Sequence, residues 1–152
     1  SIYKKNKPGT LMLINGHLDC SFQNNYHDLK LVVGDKYHSK ELIKLSKKVA
    51  SNYKIKVVLG NYCWVLGPCY ETPEEIKFFK FYGGNTVGMS TLPEIEEAGA
   101  LGLKVLSIAL LTNYAAGIDK DILSHKDVIK VASQSKTKLM NLLSGIIKGV
   151  KE

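Results

Sequence analysis

Apolar and polar positions change period in blocks along the chain, and each block predicts an element. Leu11-Met12-Leu13-Ile14 is a short apolar run bounded by Pro8-Gly9 and Gly16, which predicts a buried strand. Gly16 to Lys36 is polar, spotted with aromatics and without period, and predicts a long loop; loops of that length are more often functional than merely connective. From Ser39 to Tyr53 helical spacing returns, with Leu42, Leu45, Val49 and Tyr53 on one stripe and lysines opposite. Val57 to Leu66 is β-rich, interrupted by Gly60, and stops at Gly67-Pro68. Thr72-Pro73-Glu74-Glu75 predicts a helix start: Thr72 caps, Pro73 suits the first turn and Glu75 completes a capping box. Gly83-Gly84 predicts its end, where glycine takes the left-handed cap conformation.

Thr86 to Met89 reads as a short strand, and Thr91-x-x-Glu94 repeats the capping pattern ahead of another helix. Lys104 to Thr112 is nearly continuously apolar, as expected of a strand buried on both faces. Ser124-x-x-Asp127 opens a last helix that runs to about Gly149, with Val128, Ala132, Leu139, Leu142, Ile146 and Val150 as its apolar stripe. Strands alternate with helices and there is no repeat, low-complexity tract or linker, so residues 1–152 are expected to form one piece of the α/β class.

Composition removes several alternatives. The chain has 152 residues, 45% hydrophobic and 23% charged, which is ordinary for a globular domain with a sizeable core. No apolar run approaches the ~20 residues needed to cross a bilayer. Ser1-Ile2-Tyr3-Lys4-Lys5 leads into no apolar stretch of the kind a secretory signal needs, so the expected compartment is the cytoplasm. The missing initiator Met reads as a processed or partial product. The net charge of +7 comes from lysines spread along the chain. Their densest groups, Lys44, Lys47 and Lys48, and Lys136 and Lys138, fall in predicted helices as solvated faces, so neither nucleic acid nor membrane is expected as a partner. Cys20, Cys63 and Cys69 are odd in number and form no C-x-x-C pair, and read as free thiols. His17, Asp19, Cys20 and His27 offer metal-ligand atoms, but their spacing matches no zinc pattern; no metal and no cofactor is expected.

In α/β proteins ligands gather beyond strand ends, where helices begin. Three such turns carry chemistry here. Gly67-Pro68-Cys69-Tyr70-Glu71-Thr72 puts an aromatic and a carboxylate ahead of a helix. Met89-Ser90-Thr91 puts hydroxyls and backbone N–H groups at another helix start, which suits an anion. Thr112-Asn113 puts a side-chain amide at the end of the apolar strand. Taken singly, each has a bland reading: Ser90 and Thr91 as caps, Glu71 as a complement to the helix dipole, Asn113 as a turn former, Tyr70 as packing.

Taken in order they do not. Gly60-x-Tyr62, Gly67-Pro68-x-Tyr70-Glu71-Thr72-Pro73-x-Glu75, Val87-Gly88-Met89-Ser90-Thr91-x-Pro93-Glu94, Leu111-Thr112-Asn113-x-Ala115-Ala116-Gly117 and Ser124-His125 resemble the trimeric class of purine nucleoside phosphorylases, as does Pro8-Gly9-x-Leu11-Met12-Leu13-Ile14-x-x-His17 upstream. The resemblance covers most of the chain apart from Asp19 to about Lys56. It implies a mixed central sheet flanked by helices, of which this chain is the C-terminal part. It also implies phosphorolysis of 6-oxopurine (deoxy)nucleosides such as inosine and guanosine, with inorganic phosphate as co-substrate. By this resemblance Glu71 accepts from the purine N1–H edge and Asn113 donates at N7 and the 6-oxo group, the two making up the catalytic pair. Tyr70 lines the base pocket, Met89 the ribose, His125 reaches the ribose 5′-hydroxyl and Ser90 contacts phosphate. An amide donates to both purine acceptors whereas an ionised Asp, the pattern of the related methylthioadenosine phosphorylases, does not.

The same resemblance sets a boundary. The family's N-terminal half normally carries a glycine/serine phosphate loop and the Arg and His contacts to phosphate, and nothing in this chain replaces them. Gly16-His17-Leu18-Asp19 departs from the family's Asp-His-Ile-Asn, and Glu96 and Glu97 stand where the family has apolar residues. Two functions of different class follow: the base- and ribose-binding part of a working phosphorylase, or a non-catalytic purine-binding or assembly fragment. Either implies an unsatisfied sheet edge and association, as a homo-oligomer (a trimer by resemblance) or with an N-terminal half.

Overall fold

The computed structural model describes residues 1–23, 29–119 and 125–150. Its sheet is organised by one strand, β1 (Thr10–Asp19), buried along almost its whole length. One edge of β1 pairs in parallel with β3 (Val57–Trp64), from Leu11↔Val57 to Asp19↔Trp64, with a register shift between Ile14 and Gly16. The other edge takes two antiparallel partners, β5 (Ile108–Leu111) against Thr10–Leu13 and β2 (Val32–Val33) against Gly16 and His17. β3 in turn carries β4 (Thr86–Gly88) in parallel, which gives a mixed five-stranded sheet of the α/β class.

β1 places Leu11 in one core cluster, with Val49, Ala50, Leu142 and Ile146 of the helices α1 (Lys40–Asn52) and α4 (His125–Gly149). Its neighbours Met12 and Ile14 enter a second cluster with Tyr62 and Leu111, as strand alternation requires. Past the register shift, Leu18 joins a third cluster with Ile2, Cys20, Cys63 and Ala115, completed by Ile76 and Phe79 of α2 (Pro73–Phe81). The last helix before β5 is α3 (Leu92–Ala100).

Several local expectations hold. Thr72 and Glu75 form the complete capping box of α2; the expected helix α1 also forms, and the structure shows Ser39 capping it by accepting from the Leu42 N–H. Gly83 adopts φ +91° just past the end of α2. Cys20, Cys63 and Cys69 are free thiols.

Others require correction. The segment from Gly16 to Lys36 is not all loop: β1 continues to Asp19 and β2 lies inside the stretch. Polar His17 hides the strand period, but its buried ring is paired with His38, so the position is compatible with an interior strand. The apolar run from Lys104 to Thr112 yields only a four-residue strand, half-buried except at Leu111. It lies outside the parallel core, with only the Thr10–Leu13 edge of β1 to pair with. Thr91 makes no side-chain cap; at φ +86° its hydroxyl is turned away from the α3 N–H groups. On α1 the buried face is Ile43, Ser46, Val49 and Ala50, and Tyr53 remains half exposed. On α4, Ala132 and Val150 are exposed, and buried Ser135 takes a place in the stripe. Ser124, expected to cap α4, and His27, considered as a metal ligand, lie outside the described residues.

Candidate active site

The turn after β3 is shaped by Gly67, whose φ of +77° favours glycine. A Cβ there would stand 2.5 Å from the Met89 sulfur, so the missing side chain also lets the β4 turn close against the β3 turn. The chain then passes Tyr70 and Glu71 and enters α2 at its capping box. The β4 turn presents Met89, Ser90 and Thr91 ahead of α3.

Asn113 arrives by another route. β5 runs against β1, so Thr112 and Asn113 leave the sheet opposite to β3 and β4. The first residues of the chain bridge the gap: the Ser1 nitrogen donates to the Asn113 carbonyl at 2.6 Å, and the Ile2 N–H donates to the Asn85 carbonyl just before β4. Ala115 N–H closes the loop by donating to the Ser1 carbonyl.

The three segments meet at one cavity of about 210 Å³. Tyr70, Glu71, Met89 and Asn113 all line it, together with Thr86, Val87, Gly88, Leu110, Leu111, Thr112, Ala115, Val128 and Ser1. The Thr112 hydroxyl donates to Asn113 Oδ1 at 2.7 Å, and Asn113 Nδ2 donates to the Tyr114 carbonyl at 2.9 Å. The amide orientation is therefore fixed before any ligand arrives, with one Nδ2 proton still to be placed. Partial burial pushes the Glu71 carboxyl above its ordinary value; its own backbone N–H opposes this, the Glu75 charge adds to it and the Ser1 amino group opposes it. Tyr70 and Glu71 also border a second cavity of about 380 Å³ on the side of Cys20, Phe22 and Cys69.

Ser90 stands apart from this set. Ser90 is exposed and does not line the cavity; its hydroxyl lies 3.2 Å from that of Thr91. His125 is the first residue of α4, one turn before the cavity residue Val128, and its side chain lies outside the described residues. The lining residues that belong to none of the motifs are Ser1, Thr86, Leu110 and Val128. A larger cavity of about 580 Å³, around Lys5, Lys7, Thr10, Lys56 and Asn85, opens at the start of the parallel strands and shares no lining residue with this one. Among the described residues no cluster of His, Cys, Asp or Glu is arranged to hold a metal ion, and no helix is long and apolar enough to cross a membrane.

An α/β sheet whose strand-end turns gather around a small, partly polar cavity defines the chain as an α/β protein with a candidate site at those turns. Residues 1–148 match the phosphorylase superfamily, and the chain belongs to it. It is 35% identical over 148 residues to purine nucleoside phosphorylase 1 of Bacillus subtilis, covering 93% of this chain and 55% of that protein. It is 32% identical over 152 residues to a probable 6-oxopurine nucleoside phosphorylase of Moorella thermoacetica, covering 95% and 58%. A schistosoma purine nucleoside phosphorylase solved in complex with hypoxanthine superposes with a TM-score of 0.86 at 25% identity, covering 99% of this chain and 59% of that one. The chain thus spans little more than half the length of these relatives.

Proposed function

We propose that the chain forms the base- and ribose-binding part of a purine nucleoside phosphorylase acting on 6-oxopurine (deoxy)nucleosides, with inorganic phosphate as co-substrate. The observation that carries the reading is the convergence of Tyr70, Glu71, Met89 and Asn113 on a single cavity. Its volume of about 210 Å³ lies below the ~300 Å³ at which drug-sized ligand sites begin, and suits one base better than a whole nucleoside with phosphate.

In the reaction, phosphate attacks the anomeric carbon, the C–N bond breaks and its electron pair goes to the purine. Glu71 as carboxylate accepts from N1–H, and the remaining Nδ2 proton of Asn113 is shared between N7 and the 6-oxo group as charge gathers on the leaving base. Hydrogen bonds that tighten as charge develops accelerate the step rather than merely holding substrate. Ser90 contacts phosphate, Met89 packs on the ribose and His125 reaches its 5′-hydroxyl. The remaining phosphate contacts come from a partner segment, an N-terminal half or another copy of the chain in a homo-oligomer.

Phosphate-dependent release of hypoxanthine from inosine by the purified chain, with hypoxanthine affinity measured alongside, is the deciding assay. The reading expects Asn113→Ala to lower kcat by on the order of 10²-fold with a smaller change in base affinity. Base binding without phosphorolysis, alone or in the assembled oligomer, makes the chain a non-catalytic purine-binding piece. Absence of both overturns the reading.

A further inference from the structure

The Gly60-x-Tyr62 element has a physical role that the base cavity does not use. Tyr62 lies on β3, is 5% exposed and packs among Met12, Ile14 and Leu111. Its ring crosses toward β4, where the Cβ of any residue other than glycine at position 88 would fall 2.3 Å from the phenol oxygen. Gly88 therefore leaves the space that the hydroxyl occupies.

From that space the hydroxyl accepts the Ser90 N–H at 3.4 Å. The following residue, Thr91, holds φ +86°, a conformation that a β-branched residue seldom adopts, and makes no cap hydrogen bond to α3. Its hydroxyl instead lies 3.2 Å from that of Ser90. Burial pushes the Tyr62 hydroxyl above its ordinary pKa, opposed by hydrogen bonds with the Ser90 backbone, the Ser90 side chain and the Thr91 side chain, so it stays a neutral hydrogen-bonding group. Three hydroxyls, one anchored in the core and two on the exposed turn, thus meet where α3 begins.

We infer that Tyr62 is a positioning residue, which fixes the strained Ser90–Thr91 turn so that its two hydroxyls face a tetrahedral oxyanion, inorganic phosphate. This inference rests on the reading that Ser90 contacts the co-substrate. Gly88 belongs to the same device, because it admits the phenol.

The test titrates inorganic phosphate into the full chain while the Ser90 and Thr91 amide resonances are followed, with hypoxanthine titrated separately. Phosphate is expected to shift both amides in the wild type. Tyr62→Phe, which keeps the packed ring, is expected to weaken phosphate binding about fivefold to tenfold while hypoxanthine affinity stays within about twofold. Gly88→Ala, which expels the hydroxyl with Tyr62 in place, is expected to weaken phosphate similarly, and the double variant to lose no more than either single one. Unchanged phosphate affinity in Tyr62→Phe, equal loss of phosphate and hypoxanthine, or wild-type amides indifferent to phosphate each overturns the inference. Failure of the base-site reading shows up elsewhere, as hypoxanthine that does not bind the wild type.

Discussion

His17 Nδ1 lies 2.9 Å from His38 Nε2, and the two almost fully buried rings join β1 to the entry of α1 through this one hydrogen bond. One ring donates and the other accepts, so the bond needs both imidazoles neutral or only one charged. The far nitrogen of His17 lies 3.7 Å from Glu96, and that of His38 has no partner in the described structure. Burial, reinforced by His38 and opposed by Asp19, lowers the His17 pKa from 6.5 to about 4; burial also lowers that of His38.

An acid-sensitive fold follows. A histidine held neutral in the fold contributes stability that is complete above its unfolded pKa, near 6.5, and is lost as pH falls toward the folded value, near 4. The gap for His17 is worth roughly 3 kcal/mol. Urea midpoints should therefore drop steadily between those pH values, and His17→Leu combined with His38→Phe should flatten the slope. A double variant as acid-sensitive as the wild type rules out this pair as the source.

Glu71 leads to a pH dependence of binding. Its pKa is raised by burial, so its carboxylate becomes protonated at a higher pH than an ordinary Glu. Protonation removes the acceptor proposed for the purine N1–H. Hypoxanthine affinity should fall on acidification, beginning above the usual carboxylate range, and Glu71→Gln should be weak but insensitive to pH in that window. Calorimetric titrations across the acid range provide the check.

The Thr72–Glu75 capping box sits directly after the cavity residues Tyr70 and Glu71. Thr72→Ala removes the cap of α2 and should cost about 1 kcal/mol, a Tm loss of roughly 2–4 °C for a chain of this size. Thr91→Ala makes the useful contrast, because Thr91 caps nothing; its melting temperature should move less than that of Thr72→Ala.

Gly145 sets two effects against each other. Alanine favours a helix over glycine by ~1 kcal/mol, but a Cβ here would meet Val49 Cγ1 at 2.5 Å and the Tyr53 ring at 2.9 Å. Tyr53 is half exposed and swings away; Val49 is buried and stiff at χ1, so the helices must separate. Overpacking costs of ~1–3 kcal/mol should win, and Gly145→Ala should be destabilising in denaturant titration. A stabilised variant would mean that α1 and α4 are loosely packed.

Local chemistry made much of this molecule legible from its residues. The Thr72-Pro73-x-Glu75 start and the glycine stop at Gly83 depend only on neighbouring atoms, and they formed as expected. Tyr70, Glu71, Met89 and Asn113 were marked by residue type at turns, and they meet at one cavity. What stayed hidden depends on distant partners. His17 hid the length of β1 because its burial depends on His38; β5 came out short because its pairing edge on β1 is short; and Thr91 looked like a cap until its positive φ turned it toward Ser90.

β1 also imposes an order in time on the rest. Three helices and the strands β3 and β4 separate it in sequence from β5, the strand that closes its Thr10–Leu13 edge, so that edge is closed well after β1 is synthesised. Pairing distant segments is slow, because loop-closure entropy is lost before the contacts form. Before β5 docks, a nascent chain can hold its β1–β3–β4 core while Leu11 to Leu13 wait with an open edge, exposed to chaperones or to another chain. Only that late docking brings Asn113 to the cavity that Glu71 lines, so the core forms before the candidate site is complete.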